Sequence, residues 1–182
     1  MMDKDITFRK WTVLAGLSGF KVGRYSRPNY VGSVPTPSNL NDLTIGQLID
    51  LSKVEDSNES LYNVVSTVLG MTRDEISRSR AVDVVRFVGW VSGEVERINK
   101  LFEGADNIKP TRQERQAGVD TLKFGLFGML DWYAVRMGIQ DHDEVLKTPW
   151  LRIYKCMDMD NKKRAYEIRL RNIQTQEIKK SK

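Results

Sequence analysis

Residues 72–104 read TRDEISRSRAVDVVRFVGWVSGEVERINKLFEG, and their periodicity decides the fold class. Ala81, Val84, Val85, Val88, Val91, Val95, Ile98 and Leu101 fall three or four residues apart, the spacing that keeps side chains on one face of an α-helix. Thr72 followed by Glu75 is a capping-box signature for the start, and Gly104 marks the stop, which predicts one long helix over this stretch. Its many valines lower intrinsic helix propensity, so burial against other elements must hold it.

The same signals recur on both sides of that helix. Thr44 with Gln47 caps a short segment with Ile45, Leu48, Ile49 and Leu51 on one face. After a polar turn at Asp56–Glu59, Leu61, Val64, Val65, Val68 and Leu69 predict a second helix ending at Gly70. Downstream of a turn at Asp106–Pro110, Thr111 with Glu114 predicts a helix from Arg112 through Leu122, Phe127, Leu130 and Tyr133 to Gly138. Asp141 with Glu144 predicts a short turn, and Pro149 fits the first position of a helix carrying Trp150, Ile153, Tyr154 and Met157. That last helix is expected to fade beyond Ile173 into a charged tail. The fold class is therefore all-α, a single bundle of about five helices.

Residues 1–42 break the pattern. Ile6 and Phe8, then Trp11 and Val13, hint at a short strand. Gly16, Gly19, Gly23 and Gly32 interrupt it, and Pro28, Pro35 and Pro37 exclude a continuing helix. The segment reads as an extended arm, too aromatic at Trp11, Phe20, Tyr25 and Tyr30 for a solvated linker. The organisation expected is an arm over 1–42, a helical domain over 43–175 and a basic tail over 176–182.

Composition narrows the function classes. With 182 residues, 40% hydrophobic and 29% charged, the chain has the make-up of a soluble globular protein with one substantial core. No run approaches the roughly 20 apolar residues of a membrane span. Cys156 is the single cysteine, so no internal disulfide forms and a reducing compartment is favoured. The net charge of +5 is uneven. Residues 1–42 and 161–182 are basic, whereas the body between them carries 15 bases against 19 acids. Such ends suit docking onto an acidic body of another subunit or onto nucleic acid.

The chemistry-bearing residues do not assemble into a catalytic set. His142 lies in Asp141-His142-Asp143-Glu144, but no second histidine or nearby cysteine completes a tetrahedral site, and capping accounts for the acids. Asp158, Asp160 and Asn161 resemble the opening of a calcium loop, with Lys162 where glycine is required. Gly118, Gly125 and Gly128 share a helical face, which predicts close approach of another helix, within the domain or across an oligomer contact; the alternative is a break or bend in the helix near Lys123 to Gly128, and a phosphate loop is excluded by the spacing. Lys162, Lys163, Arg164, Arg169 and Arg171, extended by Lys179, Lys180 and Lys182, are the candidate phosphate contacts. Against them stand Glu167 and the ordinary solvated face that charged helices present. Trp90, Trp132 and Trp150 with Tyr133 and Tyr154 read as core or interface. The expectation is a non-enzyme without cofactor or metal. Its protein-interface candidates are Trp11, Phe20, Tyr25, Tyr30, Gly125, Gly128, Trp132 and Trp150.

Gln113-Glu114-Arg115-Gln116-Ala117-Gly118-Val119, Phe124-Gly125-Leu126-Phe127-Gly128, Asp131-Trp132-Tyr133 and Thr148-Pro149-Trp150 resemble segments of small helical proteins encoded among bacteriophage tail and virion morphogenesis genes, in particular tail assembly chaperones. Leu43-Thr44-Ile45-Gly46-Gln47-Leu48 is similar to the way such proteins open their helical body. The resemblance covers about a third of the chain. It implies an all-helical, non-enzymatic protein that binds virion or tail proteins in the host cytoplasm during assembly. The aromatic arm departs from that pattern and fits a connector or ring subunit retained in the virion, a homo-oligomer. Against this stand two other classes, a helical nucleic-acid-binding regulator using the basic C-terminal helix and a small helical enzyme, for which no convergent acid/base pair is present.

Overall fold

Capping chemistry sets most of the element starts. In the computed structural model, which describes residues 6–15, 25–53, 57–105, 110–122 and 124–180, helices predominate. They are α1 (Phe8–Ala15), α2 (Ile45–Ser52), α3 (Asn58–Leu69), α4 (Arg73–Arg78), α5 (Ala81–Ala105), α6 (Arg112–Gln116), α7 (Gly125–Met137), α8 (His142–Leu146) and α9 (Trp150–Lys180). A two-strand antiparallel hairpin, β1 (Tyr30–Val31) and β2 (Val34–Pro35), pairs Tyr30 with Pro35 and Val31 with Val34. Among the described residues the fold is all-α with this one small exception.

Three of the four capping pairs read from the sequence form boxes; at the fourth, Asp141 accepts from the Asp143 amide at 2.9 Å and Glu144 completes no box. Thr44 Oγ1 accepts from the Gln47 amide at 3.1 Å, and the Thr44 amide donates to Gln47 Oε1 at 2.9 Å. Thr72 with Glu75 and Thr111 with Glu114 repeat the pattern. Gly70 and Gly138 end α3 and α7 in the left-handed conformation, at φ 66° and 67°.

Four expectations need correction. The hinted strand near Ile6–Val13 is helix α1; only Thr7 makes a bridge, to Arg80. Phe8 and Trp11 fall three apart and are both buried, so the helical spacing that covers two rings wins over the alternating one. The long helix predicted from Thr72 starts instead at Ala81. Ser79 leaves α4 with ψ 159°, and the Ala81 amide donates to the Ile6 carbonyl at 3.0 Å, so an N-terminal segment occupies the break. The helix predicted over Arg112–Gly138 is broken between Gln116 and Gly125. Gly118 and Gly125 adopt positive φ, 83° and 56°, and a single 3-10 turn at Val119–Thr121 lies between them. α9 does not fade at Ile173 but runs helically to Lys180. Phe20, Gly16, Gly19, Gly23, Asp56, the turn residues 106–109 and Lys182 lie outside the described residues.

The chain divides into two compact units, residues 1–98 and 99–182. The first is built around α5, whose Val84, Val85, Phe87, Val88, Val91, Val95 and Ile98 are buried. Each buried valine recovers about 1.5–3 kcal/mol of transfer free energy, which outweighs a helix-propensity cost of under about 0.7 kcal/mol. Phe8 stacks on Trp11 at 5.5 Å and meets the Tyr62 ring edge-on at 5.0 Å, which fastens α1 to α3. In the second unit Leu130, Tyr133, Ala134, Val145, Trp150 and Ile153 form the core, and Phe102 contacts the rings of Trp150 and Tyr154.

Candidate protein interface on the C-terminal helices

α9 is docked along its first half. Trp150, Ile153, Tyr154, Met157, Asn161, Ala165 and Ile168 recur three or four apart, all buried or half-buried. Three polar contacts fasten this inner face and its margins. Asn161 Nδ2 donates to the Ala105 carbonyl at 2.5 Å, Asp160 pairs with Arg136 of α7, and Arg164 reaches Glu114 of α6 at 3.3 Å. The hydrogen bond to Asp160 raises the Arg136 pKa above its ordinary value. Hydrogen bonds from Thr111 hold the Glu114 carboxyl below the usual carboxylate range, the backbone amide contributing most.

The opposite side of the same helix carries a second apolar stripe. Met159, Tyr166, Leu170 and Ile173 are 61, 57, 39 and 54% exposed. Their separations of seven, four and three place them on one line along the helix, the seam geometry of a two-stranded coiled coil. From Arg169 to Ile178 every residue is exposed. A second apolar patch surrounds the start of α7, where Leu122, Phe124, Leu126 and Phe127 all stand in solvent. Phe127 leans on the His142 ring at 5.1 Å, and His142 Nε2 lies 3.3 Å from an Asp131 carboxylate oxygen.

The interface candidates read from the sequence separate into different environments. Trp11 and Trp150 are buried in their own units, as core. Trp132 is half-buried, with the Arg136 guanidinium 5.8 Å from its ring centre. Tyr25 and Tyr30 are exposed. Among the described residues no neighbouring helix packs on Gly118, Gly125 and Gly128: Gly118 and Gly125 serve left-handed turns, and no described atom lies within 4 Å of a Cβ built on Gly125. Gly128 is tight for a local reason, since an added Cβ would come within 2.5 Å of Phe124 Cβ.

The basic candidates are scattered rather than aligned. Lys162 is bound to Asp158 at 2.7 Å, and that hydrogen bond raises its pKa. Arg164 is engaged by Glu114. Lys163, Arg169 and Arg171 are exposed and make no ion pair among the described residues. By seven-residue spacing Lys162 and Arg169 lie on one flank of α9, Arg164 and Arg171 on the other, and Lys163 between them. The residues missed by the sequence reading are Met159, Tyr166 and Leu170; their signal, a heptad-like spacing, was masked by the charged residues between them. No helix among the described residues is long and apolar enough to cross a membrane. Comparison of the chain with protein-family models, with curated proteins and with solved structures finds no match.

Proposed function

We propose that this chain is a non-enzymatic assembly or structural protein of a bacteriophage tail or neck, and that it works by pairing α9 with α9 of a second copy. The phage setting rests on the sequence resemblance. The mode of action rests on one observation, the exposed Met159–Tyr166–Leu170–Ile173 stripe opposite a face that is already docked.

Charge selects both the occupant and its direction. When the stripe forms the seam of a parallel pair, Lys162 of one helix lies beside Glu167 of the other, and Arg169 beside Gln174. An antiparallel pair sets bases against bases on one flank and Glu167 against acid or amide on the other. The helix is therefore self-complementary only when parallel. Lys163 and Glu177 also fall in the seam, where their stems cover apolar surface while their charged ends reach water, which keeps the pair weak. The patch at Leu122, Phe124, Leu126 and Phe127 remains for contact with a tail or neck protein, and host cytoplasm during assembly, or the virion itself, is the setting.

Sedimentation equilibrium of the full chain from tens to hundreds of micromolar tests the pairing, with Leu170→Cys in a Cys156→Ser background to test its direction. We expect mass rising toward a dimer with concentration and an interchain disulfide on oxidation, since a seam position faces its own copy only in parallel register. A strict monomer throughout that range overturns the reading. A nucleic-acid regulator is the second reading, favoured by Lys163, Arg169 and Arg171, which make no ion pair among the described residues. It requires tight, sequence-selective binding near physiological salt, whereas stray phosphate contacts would vanish as salt rises.

A further inference from the structure

Three arginines of the first unit line one cleft. Arg27, Pro28, Asn29, Tyr30, Gly32, Arg80, Asp83 and Arg86 enclose about 450 Å³, within the usual size range of small-ligand sites. They come from three places in the chain: the approach to β1 and its turn, the break between α4 and α5, and the first turns of α5.

The walls are fixed by bonds that leave the cleft open. Arg27 Nη1 donates to the Thr36 carbonyl at 2.8 Å, and the Thr36 amide donates to the Asn29 carbonyl at 3.0 Å. Arg86 Nη2 donates to Ser26 Oγ at 2.7 Å. Gly32, at φ 58°, brings the hairpin turn so close that an added Cβ would stand 2.8 Å from Ser79 Oγ. Arg80 sits at the Thr7 bridge, and its Nε lies 3.5 Å from Asp83.

Each guanidinium has five N–H donors, so these few bonds leave most of that capacity unspent. Three arginines against the single lining carboxylate of Asp83 leave two positive charges on the cleft. A phosphate monoester carries about that much negative charge near neutral pH, and forked guanidinium donors match its oxygens. Tyr30 lines the same cleft with an exposed ring, a face on which a planar base can stack. The geometry points to a binding site for a nucleoside phosphate, with Arg27, Arg80 and Arg86 on the phosphate and Tyr30 on the base. This site is independent of the α9 pairing.

The test is calorimetric titration of the full chain with adenosine monophosphate, inorganic phosphate and a short oligodeoxythymidine. Adenosine monophosphate is expected to bind more tightly than phosphate, and Tyr30→Ala should abolish the difference. Arg80→Gln should weaken binding about tenfold or more, the scale of one lost charge-assisted hydrogen bond. Arg80 is the variant of choice because its side chain makes no wall bond beyond Asp83. Asp83→Asn should act in the opposite direction and strengthen binding, an outcome that general destabilisation does not produce. Tighter oligonucleotide binding that also falls with Arg80→Gln would identify the phosphate as that of a single strand. Absence of binding by all three at millimolar concentration, or binding indifferent to both Arg80→Gln and Asp83→Asn, overturns the site.

Discussion

Ile173→Glu is the most direct perturbation of the proposed pairing, because its effect on assembly and on folding can be separated. The four stripe residues are between 39 and 61% exposed in the single chain. Covering the exposed half of a residue that is worth about 1.5–3 kcal/mol when fully buried gains about 1 kcal/mol. Two copies of four residues give a gross gain of about 8 kcal/mol, with a little more from the paired flanks. Association costs at least about 4 kcal/mol, so the net is about 4–6 kcal/mol and the dissociation constant falls between about 40 µM and 1 mM. Ile173→Glu removes about 2 kcal/mol across the two copies, a weakening of about 30-fold before two facing carboxylates repel. The variant should be monomeric at every accessible concentration. Its helicity should be unchanged or higher, since glutamate is the better helix former and Ile173 touches no core. Sedimentation equilibrium and circular dichroism at 10–500 µM, the range set by that affinity, read the two effects apart. An unchanged mass profile would place Ile173 outside any seam, and a fall in the melting temperature of dilute protein would show that it packs within its own chain.

The glycines give opposed expectations that thermal denaturation can check. Gly128→Ala should lower the melting temperature despite alanine's better propensity, because Phe124 Cβ stands in the way, and Phe124→Gly should relieve the penalty. Gly93→Ala, inside α5 with no neighbour within 4 Å, should instead stabilise by up to about 1 kcal/mol. Trp150→Ala should cost about 3–5 kcal/mol in chemical denaturation, since the indole is core and leaves a large cavity. Hydrogen bonds from Thr72, its side chain first, hold the Glu75 carboxyl below the ordinary carboxylate range. Its folded pKa being depressed, that contribution is complete above the ordinary range and is lost as pH falls through the folded pKa. The stability gap between wild type and Thr72→Ala should therefore be full at neutral pH and close in acid. A gap that widens on acidification would show that the box does not depend on the carboxylate.

Element starts were legible where a side chain caps its own helix. Thr44, Thr72 and Thr111 carry the whole signal within four residues, so no knowledge of the tertiary structure is needed. Breaks were legible only in part. Ser79 ends α4 because residues some 70 positions earlier bond into the gap, which no local pattern records. Gly118 and Gly125 did carry a local signal, but the spacing of seven admits both a small-residue face and two left-handed turns. The turns prevail because the apolar residues there are exposed, so no burial offsets the cost of glycine in a continuous helix.

The hardest element to read was the one on which the proposed function depends. α9 carries apolar residues on two opposite sides: Trp150, Ile153, Tyr154 and Met157 inward, and Met159, Tyr166, Leu170 and Ile173 outward. Stripes half a turn apart cancel in any search for one apolar face, and what remains visible is the charge between them. The sequence therefore reads as a packed helix followed by a basic tail. Its physical meaning differs: a helix with one covered side and one bare apolar side is half of a contact, and the flanking Lys162, Glu167, Arg169 and Gln174 specify which way the other half must run. Exchange of that flank tests the point without touching the seam. Lys162→Glu alone should oppose parallel pairing, and adding Glu167→Lys should restore it, because each chain then offers the partner its complement again. Restored helicity without restored dimer mass would place the charges outside any interface and leave the bare stripe without the second copy proposed for it.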